Sequence, residues 1–214
     1  MIKQDGMNKQ FANLTDDLAA LVDEQAIFRL VRSERFARDQ GHWEELANHF
    51  AEDSYVRVTW FTGTGKDFAK LSRDMAEKGR HSKHPIWPIA ARVVRDRGLV
   101  ESYSEIQNRS EIDGVEVDMT QYCRFFSQVV RTESGWKLKS FEAIYQKDSI
   151  AAVNPAEKVP IDWEEVRQFR NSYRIWAWSM TKRGYSVPDD LLGDDRPDLV
   201  AEFYGKMKEW LHAE

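Results

Sequence analysis

The residue types able to move a proton gather around Asp39 and His84. Asp39 falls where an apolar-periodic helix should end, just before Gln40 and Gly41. A carboxylate there faces the negative end of the helix dipole, a mildly unfavourable place for folding. A local cost of that kind invites a functional reading, although Asp and Gly also make ordinary turns. His84 lies in the run RHSKHPIWP, between a predicted helix and a predicted strand, where Pro85 and Pro88 exclude a helix. Imidazole is the most useful general base near neutral pH, and a partner carboxylate fixes its tautomer and stabilises the imidazolium. Asp39 is the natural partner. Tyr103, on a predicted strand, could donate to a developing oxyanion, while a strand tyrosine also commonly packs with its hydroxyl at the edge. Tyr122, Tyr145 and Glu142 are open in the same way.

Other chemistries find less support. His81 and His84 make an H-x-x-H without a nearby third ligand, and His42, Glu45 and His49 share a helix face that an exposed polar surface would also supply. No metal site is therefore assigned. The Ser, His and Asp residues form no nucleophile-elbow pattern. Cys123 is the one cysteine, set in an apolar strand pattern, and is expected to be a buried small hydrophobe.

These groups need elements to hold them. Thr15 followed by Asp16 and Asp17 resembles a helix N-cap, and Leu18, Leu21, Val22, Ala26, Leu30 and Ala37 continue it as an amphipathic helix ending near Arg38. Trp43, Leu46, Ala47 and Phe50 predict a short second helix, and YVRVTW, 55–60, a first strand. FTGTG, 61–65, reads as a turn. Phe68, Leu71 and Met75 define a third helix closed by Gly79. Turn signals at Asp96-Arg97-Gly98, Asp113-Gly114 and Glu133-Ser134-Gly135 then separate strands of 89–95, 99–110, 115–131 and 136–147. A strand as long as 115–131 needs a bulge to bend. Helices followed by a bent antiparallel sheet make an α+β cone closed on one face by the helices. Strand parity puts Val56, Val58 and Trp60 on one face, and Glu101, Tyr103, Glu105 and Gln107 on one face of the next long strand.

Residues 1–14 are expected to be a flexible leader, 15–148 the cone, and 149–214 a helical extension. In the extension, Asn154, Pro155 and Pro160 mark a linker. Val166, Phe169, Tyr173, Trp176, Ala177 and Met180 form one helical stripe, and Leu199, Val200, Phe203, Met207, Trp210 and Leu211 another. Such helices lack a core of their own and must pack on the cone or on another subunit, enlarging or covering a pocket mouth.

At 214 residues the chain can bury one good core, and its 42% hydrophobic and 31% charged content is that of a globular protein. The 12% aromatic share is enough to line a pocket. A net charge of −5 with scattered Lys and Arg offers no face for a phosphate backbone, so nucleic acid is not an expected partner. No apolar run approaches the roughly 20 residues of a bilayer span, and MIKQDGMNKQ lacks a signal-peptide core, so a cytoplasmic protein without a membrane partner is expected.

The runs DEQAIFRLVRSERFARDQGHWEELANHFAEDSYVRVTWF, KHPIWPIAARVVRDRGLVESY and CRFFSQVVRTESGWKLKSFEAIYQKD resemble, in order and spacing, the SnoaL-like branch of the NTF2-like superfamily over about residues 15–148. The resemblance implies a cone-shaped α+β barrel with an apolar interior. It also implies, from members such as scytalone dehydratase and hexachlorocyclohexane dehydrochlorinase, a cofactor-free lyase, dehydratase or isomerase built on an Asp-His dyad. Asp39 and His84 match the dyad. The dehydratase's water-holding tyrosines are matched by Arg38 and Val58 and its second histidine by Tyr103. The dehydrochlorinase's late arginine is matched by Phe141, so neither reaction is carried over.

The expectation is a lyase without cofactor that acts on a hydrophobic aromatic or polycyclic small molecule. A lignin-derived arylpropane is one such substrate. In it Asp39 orients His84, and His84 removes a proton so that a β-leaving group departs. Tyr103, Trp60 and Trp87 position the substrate, with Val56, Val58, Arg38, Tyr122 and Phe141 as further pocket residues. A steroid or polyketide isomerase or cyclase, and a non-catalytic binding or subunit module, are the alternatives. A homo-oligomer, dimer or trimer, is expected.

Overall fold

The computed structural model describes the backbone of residues 2–213 and the side chains of residues 14–213. A helix α1 (Ile2–Gln40) leads into a short α2 (Trp43–Asn48), strands β1 (Phe50–Val58) and β2 (Phe61–Gly63), and helix α3 (Gly65–Glu77). Then come β3 (Ile86–Val94), β4 (Arg97–Ile112), β5 (Val115–Thr132) and β6 (Gly135–Ala152). The extension holds α4 (Trp163–Val166), a 3-10 turn at Asn171–Tyr173, α5 (Arg174–Lys182) and α6 (Pro197–His212). The leader expected over residues 1–14 falls largely within α1, and its side chains to residue 13 lie outside the described residues.

The strands form one six-stranded sheet in the order β2-β1-β6-β5-β4-β3. All neighbours are antiparallel except β1 and β6, which run parallel. Strands of 16 to 18 residues cannot stay flat against one layer of helices, and the sheet bends at register shifts between Tyr122 and Cys123, between Phe126 and Val129, and between Pro88 and Ala90. It is curved but not closed, since β2 and β3 are edges that do not pair with each other. The β4–β5 hairpin turns on Asp113 and Gly114, both at positive φ (46° and 86°), the conformation that a two-residue turn of the right twist demands.

The α1 and α3 helices close the concave face. Ile27, Leu30 and Val31 of α1 and Phe68 of α3 are buried with Val56, Val129, Leu138 and Phe141 of the sheet in one apolar core. Thr64 caps α3 by accepting the Asp67 N–H at 3.2 Å. At Gly65 a side chain would collide with the Phe50 ring, so only glycine lets α3 lie this close to β1.

Several expected boundaries shift. β1 starts at Phe50 and ends before Trp60, and FTG is not only a turn but strand β2, with Val56 opposite Gly63. β6 runs on to Ala152, past the expected start of the extension. The stripe from Val166 to Met180 is not one helix. Asp162 caps α4 through the Glu164 N–H at 2.9 Å, while Asp148 accepts the Trp176 N–H at 2.8 Å and starts α5 afresh. Phe169 therefore lies outside any helix. These segments pack on the cone. Tyr145 N–H donates to the Leu192 carbonyl at 3.0 Å, Asp194 N–H donates to the Tyr145 carbonyl at 2.9 Å, and Phe203 of α6 meets Phe126 edge-on at 5.0 Å.

Candidate active site

Asp39 stands in the last turn of α1, and His84 stands just before β3. The backbone around His84 is fixed to β4: Lys83 and Gln107 exchange N–H to carbonyl bonds at 2.8 and 2.9 Å, and Glu105 N–H donates to Pro85 O at 3.2 Å. Ser104 Oγ donates to the same Pro85 carbonyl at 2.9 Å. A carboxylate that costs a little at a helix end is compensated by two donors from one residue. The His84 backbone N–H donates to Asp39 Oδ2 at 2.5 Å, and His84 Nδ1 lies 2.6 Å from Oδ1. The Lys83 ammonium also donates to the Asp39 carbonyl, covering an orphan acceptor of the helix end.

Both partners are buried, with 4% of the His84 side chain and 10% of Asp39 exposed. Burial, then the adjacent Arg38 charge, push the His84 imidazole down to about 3 against the pull of Asp39. The Asp39 carboxyl is held below its usual range: burial works the other way but is outweighed by its bonds from His84. The consistent state at neutral pH is an ionised Asp39 and a neutral His84 whose Nδ1–H donates to the carboxylate. No protein group among the described residues engages Nε2, and His84 lines an aromatic-walled cavity whereas Asp39 does not.

That cavity has a volume of about 290 Å³. Its walls are Trp60, Phe68, Phe125 and Phe141, with Trp60 stacked on Phe68 at 5.4 Å and Phe125 edge-on to Phe141 at 4.9 Å. Two arginines of α1 reach into it. Arg35 is ion-paired with its neighbour Glu34, both buried, and lies over the Phe141 ring at 4.5 Å. Arg38 approaches Asp39 at 3.7 Å and His84 Nδ1 at 3.4 Å, a long electrostatic contact, since Nδ1–H already faces the carboxylate. Burial and then the Arg35 charge lower the Arg38 guanidinium to about 10, and its Nε is buried without a partner. Tyr145 is fully buried, its hydroxyl oxygen accepts the Thr59 N–H at 3.1 Å, and burial pushes its phenol up. The phenol therefore keeps its proton at neutral pH. From the extension, Trp176 and Met180 of α5 complete the wall.

Of the residues expected here, His84, Arg38, Val58, Trp60 and Phe141 line the cavity, and Asp39 stands behind His84. Val56 is core and does not reach the cavity. Tyr103 and Trp87 are misplaced by the expectation: 49% and 53% exposed, they pair with each other across β3 and β4 on the outer face. On β4 it is Ser102, Ser104 and Ile106 that turn inward, so the strand alternates as expected but with the face opposite to Tyr103 toward the core. Tyr122 also turns away and carries the Lys147 ammonium 4.9 Å from its ring. Cys123 is buried as expected. Among the described residues no cluster of three or more His, Cys, Asp or Glu side chains could hold a metal, and no helix is long and apolar enough to cross a membrane. Arg35, Phe68, Phe125, Trp176 and Met180 are wall residues that the sequence does not mark as such, and Tyr145, open on sequence alone, also lines the cavity. Arg35 had a signal in its helical spacing from Arg38 and Asp39.

A curved sheet closed by helices over a mostly apolar cavity with a buried His-Asp pair defines a class. Residues 19–142 match the SnoaL-like domain family, and the chain belongs to it. A protein of Novosphingobium aromaticivorans, provisionally assigned as a scytalone dehydratase, superposes with a TM-score of 0.53 at 27% identity over 65% of this chain and 97% of that one. A type 2 hexachlorocyclohexane dehydrochlorinase superposes with a TM-score of 0.54 at 14% identity, over 68% of this chain and 99% of that one, a likeness of fold. The fold is thus that of the NTF2-like superfamily. Pea pathogenicity protein 2 of Fusarium vanettenii is 27% identical over 187 residues, covering 83% of this chain and 80% of its own.

Proposed function

We propose that the protein is a cofactor-independent lyase acting on an aromatic or polycyclic small molecule, with His84 as general base. The observation that carries this reading is His84 held with Nδ1 2.6 Å from Asp39 and, among the described residues, with Nε2 unpartnered, lining an aromatic cavity of about 290 Å³. Nε2 accepts a proton from a carbon next to an electron-withdrawing group. The electron pair left behind expels the β-leaving group, which takes a proton from Tyr145 or from the new Nε2–H. Asp39 fixes the ring and stabilises the imidazolium.

The depressed basicity of His84 is consistent with this role. Burial lowers it most, and next comes Arg38, whose charge opposes a second positive charge beside it. As negative charge builds on the substrate near Arg38 that opposition is relieved, so His84 gains proton affinity while the proton moves. The cavity is not filled by the chain's own aromatic side chains, which favours a ligand-binding site over a scaffold role.

The test is a screen of aromatic diols and arylpropanes in D₂O with products analysed by mass. The lyase reading expects products lighter by the leaving group. Products of unchanged mass apart from deuterium would replace it with an isomerase, and binding without turnover would replace it with a carrier.

A further inference from the structure

The cavity carries more positive charge than the proposed proton transfer uses. Five arginines line it, Arg35, Arg38, Arg80, Arg109 and Arg183, and no aspartate or glutamate does. Two are neutralised from behind: Arg35 by Glu34, and Arg109 by a two-bond pair with Asp118 at 2.8 and 2.9 Å. Arg80 and Arg183 are not. They come from separate elements, Arg80 from the loop after α3 and Arg183 from the end of α5, and neither has a carboxylate partner among the described residues. Arg80 spends its guanidinium on the Tyr185 hydroxyl and ring, and Arg183 on the Ser179 carbonyl and hydroxyl and the Met180 sulfur. Every one of these acceptors is neutral.

Two guanidinium groups brought together without a counter-charge repel, and in a chain of net charge −5 acids were available to place there. Partial desolvation of its guanidinium, with a further push from Arg80, lowers Arg183 although the residue as a whole is exposed. Among the described residues the one ion pair of Arg38 is the long 3.7 Å approach to Asp39, and its Nε is unpartnered. A cavity with one sign of charge and apolar walls concentrates the field on whatever enters. Planar forked donors match a carboxylate better than a point anion.

We propose that the natural ligand is an aromatic carboxylate, its ring system held between Phe68, Phe125 and Phe141 and its carboxylate held at the mouth by Arg80 and Arg183. This rests on the cavity being the ligand site, as in the proposed function, but not on the lyase step. It narrows the substrate class, because a neutral aromatic alcohol of equal size leaves the two mouth arginines without a counter-charge.

The experiment compares binding of 2-naphthoate with that of its neutral isostere 2-naphthamide by calorimetry, using wild type, the R80Q/R183Q double variant and His84→Gln. Arg80 and Arg183 are exposed, so the double variant should fold, which circular dichroism checks. The expected result is about tenfold or greater preference of wild type for the carboxylate, weakened by added salt. The preference should fall to near parity in the double variant and persist in His84→Gln. Equal affinities in wild type, binding of neither probe, or a preference the double variant keeps would overturn the proposal. Persistence in His84→Gln separates this inference from the lyase reading. A lyase that turned over neutral substrates while showing no carboxylate preference would leave the lyase reading standing and remove the carboxylate proposal.

Discussion

Replacing Asp39 by asparagine removes an acceptor and adds a donor where His84 presents two donors. The carboxylate takes the His84 backbone N–H at 2.5 Å and faces Nδ1 at 2.6 Å. An amide has one oxygen, so if it stays with the backbone N–H, its NH₂ must face Nδ1. The ring then resolves the clash of donors by shifting its proton to Nε2, the atom left to the cavity. A charge-assisted hydrogen bond in a buried place contributes about 1.5–3 kcal/mol, so the variant should be less stable by about 2 kcal/mol. For a chain of this size that lowers Tm by roughly 4–8 °C. An imidazole protonated at Nε2 cannot accept a proton there, so kcat/KM should fall by about 10² to 10⁴. Thermal melts, steady-state kinetics on one substrate and ring ¹⁵N spectra read the three effects separately. An Asp39→Asn protein that kept the Nδ1–H tautomer and full turnover would refute the reasoning.

Other consequences follow from the same geometry. The folded His84 takes up its proton near 3 while an unfolded histidine does so near 6.5, so stability is complete above pH 6.5 and declines as pH falls toward 3. The decline from this group should be about 2 kcal/mol between pH 7 and pH 5, seen as a pH-dependent midpoint in urea that flattens in His84→Gln; a slope unchanged by that variant would contradict it. Tyr145→Phe removes the acceptor of the Thr59 N–H and the cavity's buried hydroxyl, and should lower kcat by about 10² to 10³ with a loss of about 1 kcal/mol in stability, whereas unchanged kcat would exclude Tyr145 as a donor. Met180→Trp projects a larger side chain from the extension into the cavity and should weaken ligand binding about tenfold or more while the fold persists, as circular dichroism and calorimetry would show; unaltered affinity would mean that the ligand lies elsewhere.

Much of this site is legible locally. Asp39 is flagged by its cost at a helix end, His84 by two prolines that forbid a helix around it, and both flags depend on neighbours in sequence. What is not legible depends on which side of the sheet becomes concave. Alternation along β4 shows that Tyr103 and Ser104 face opposite ways, but only the packing of α1 against the sheet decides that Ser104 is inside. Trp87 follows Tyr103 outward because the two are opposite each other in the ladder. The short β2 hides in a glycine-rich run because it is strand only by pairing with β1. The break between α4 and α5 hides because an apolar stripe at helical spacing persists across it, while Asp148 on a distant strand caps the new start. Arg38 is expected in the pocket only through the family resemblance, and Arg35 reads as part of an ordinary charged helix face although it lies one turn from both Arg38 and Asp39.

The central claim is that His84 is the base. Wild type and His84→Ala should be compared on the best substrate found in the screen, with product formation followed by mass at pH 7. Elimination by wild type is expected, with a rate lower by about 10² to 10⁴ in the variant, at matched folding. Equal rates from the two proteins would contradict it.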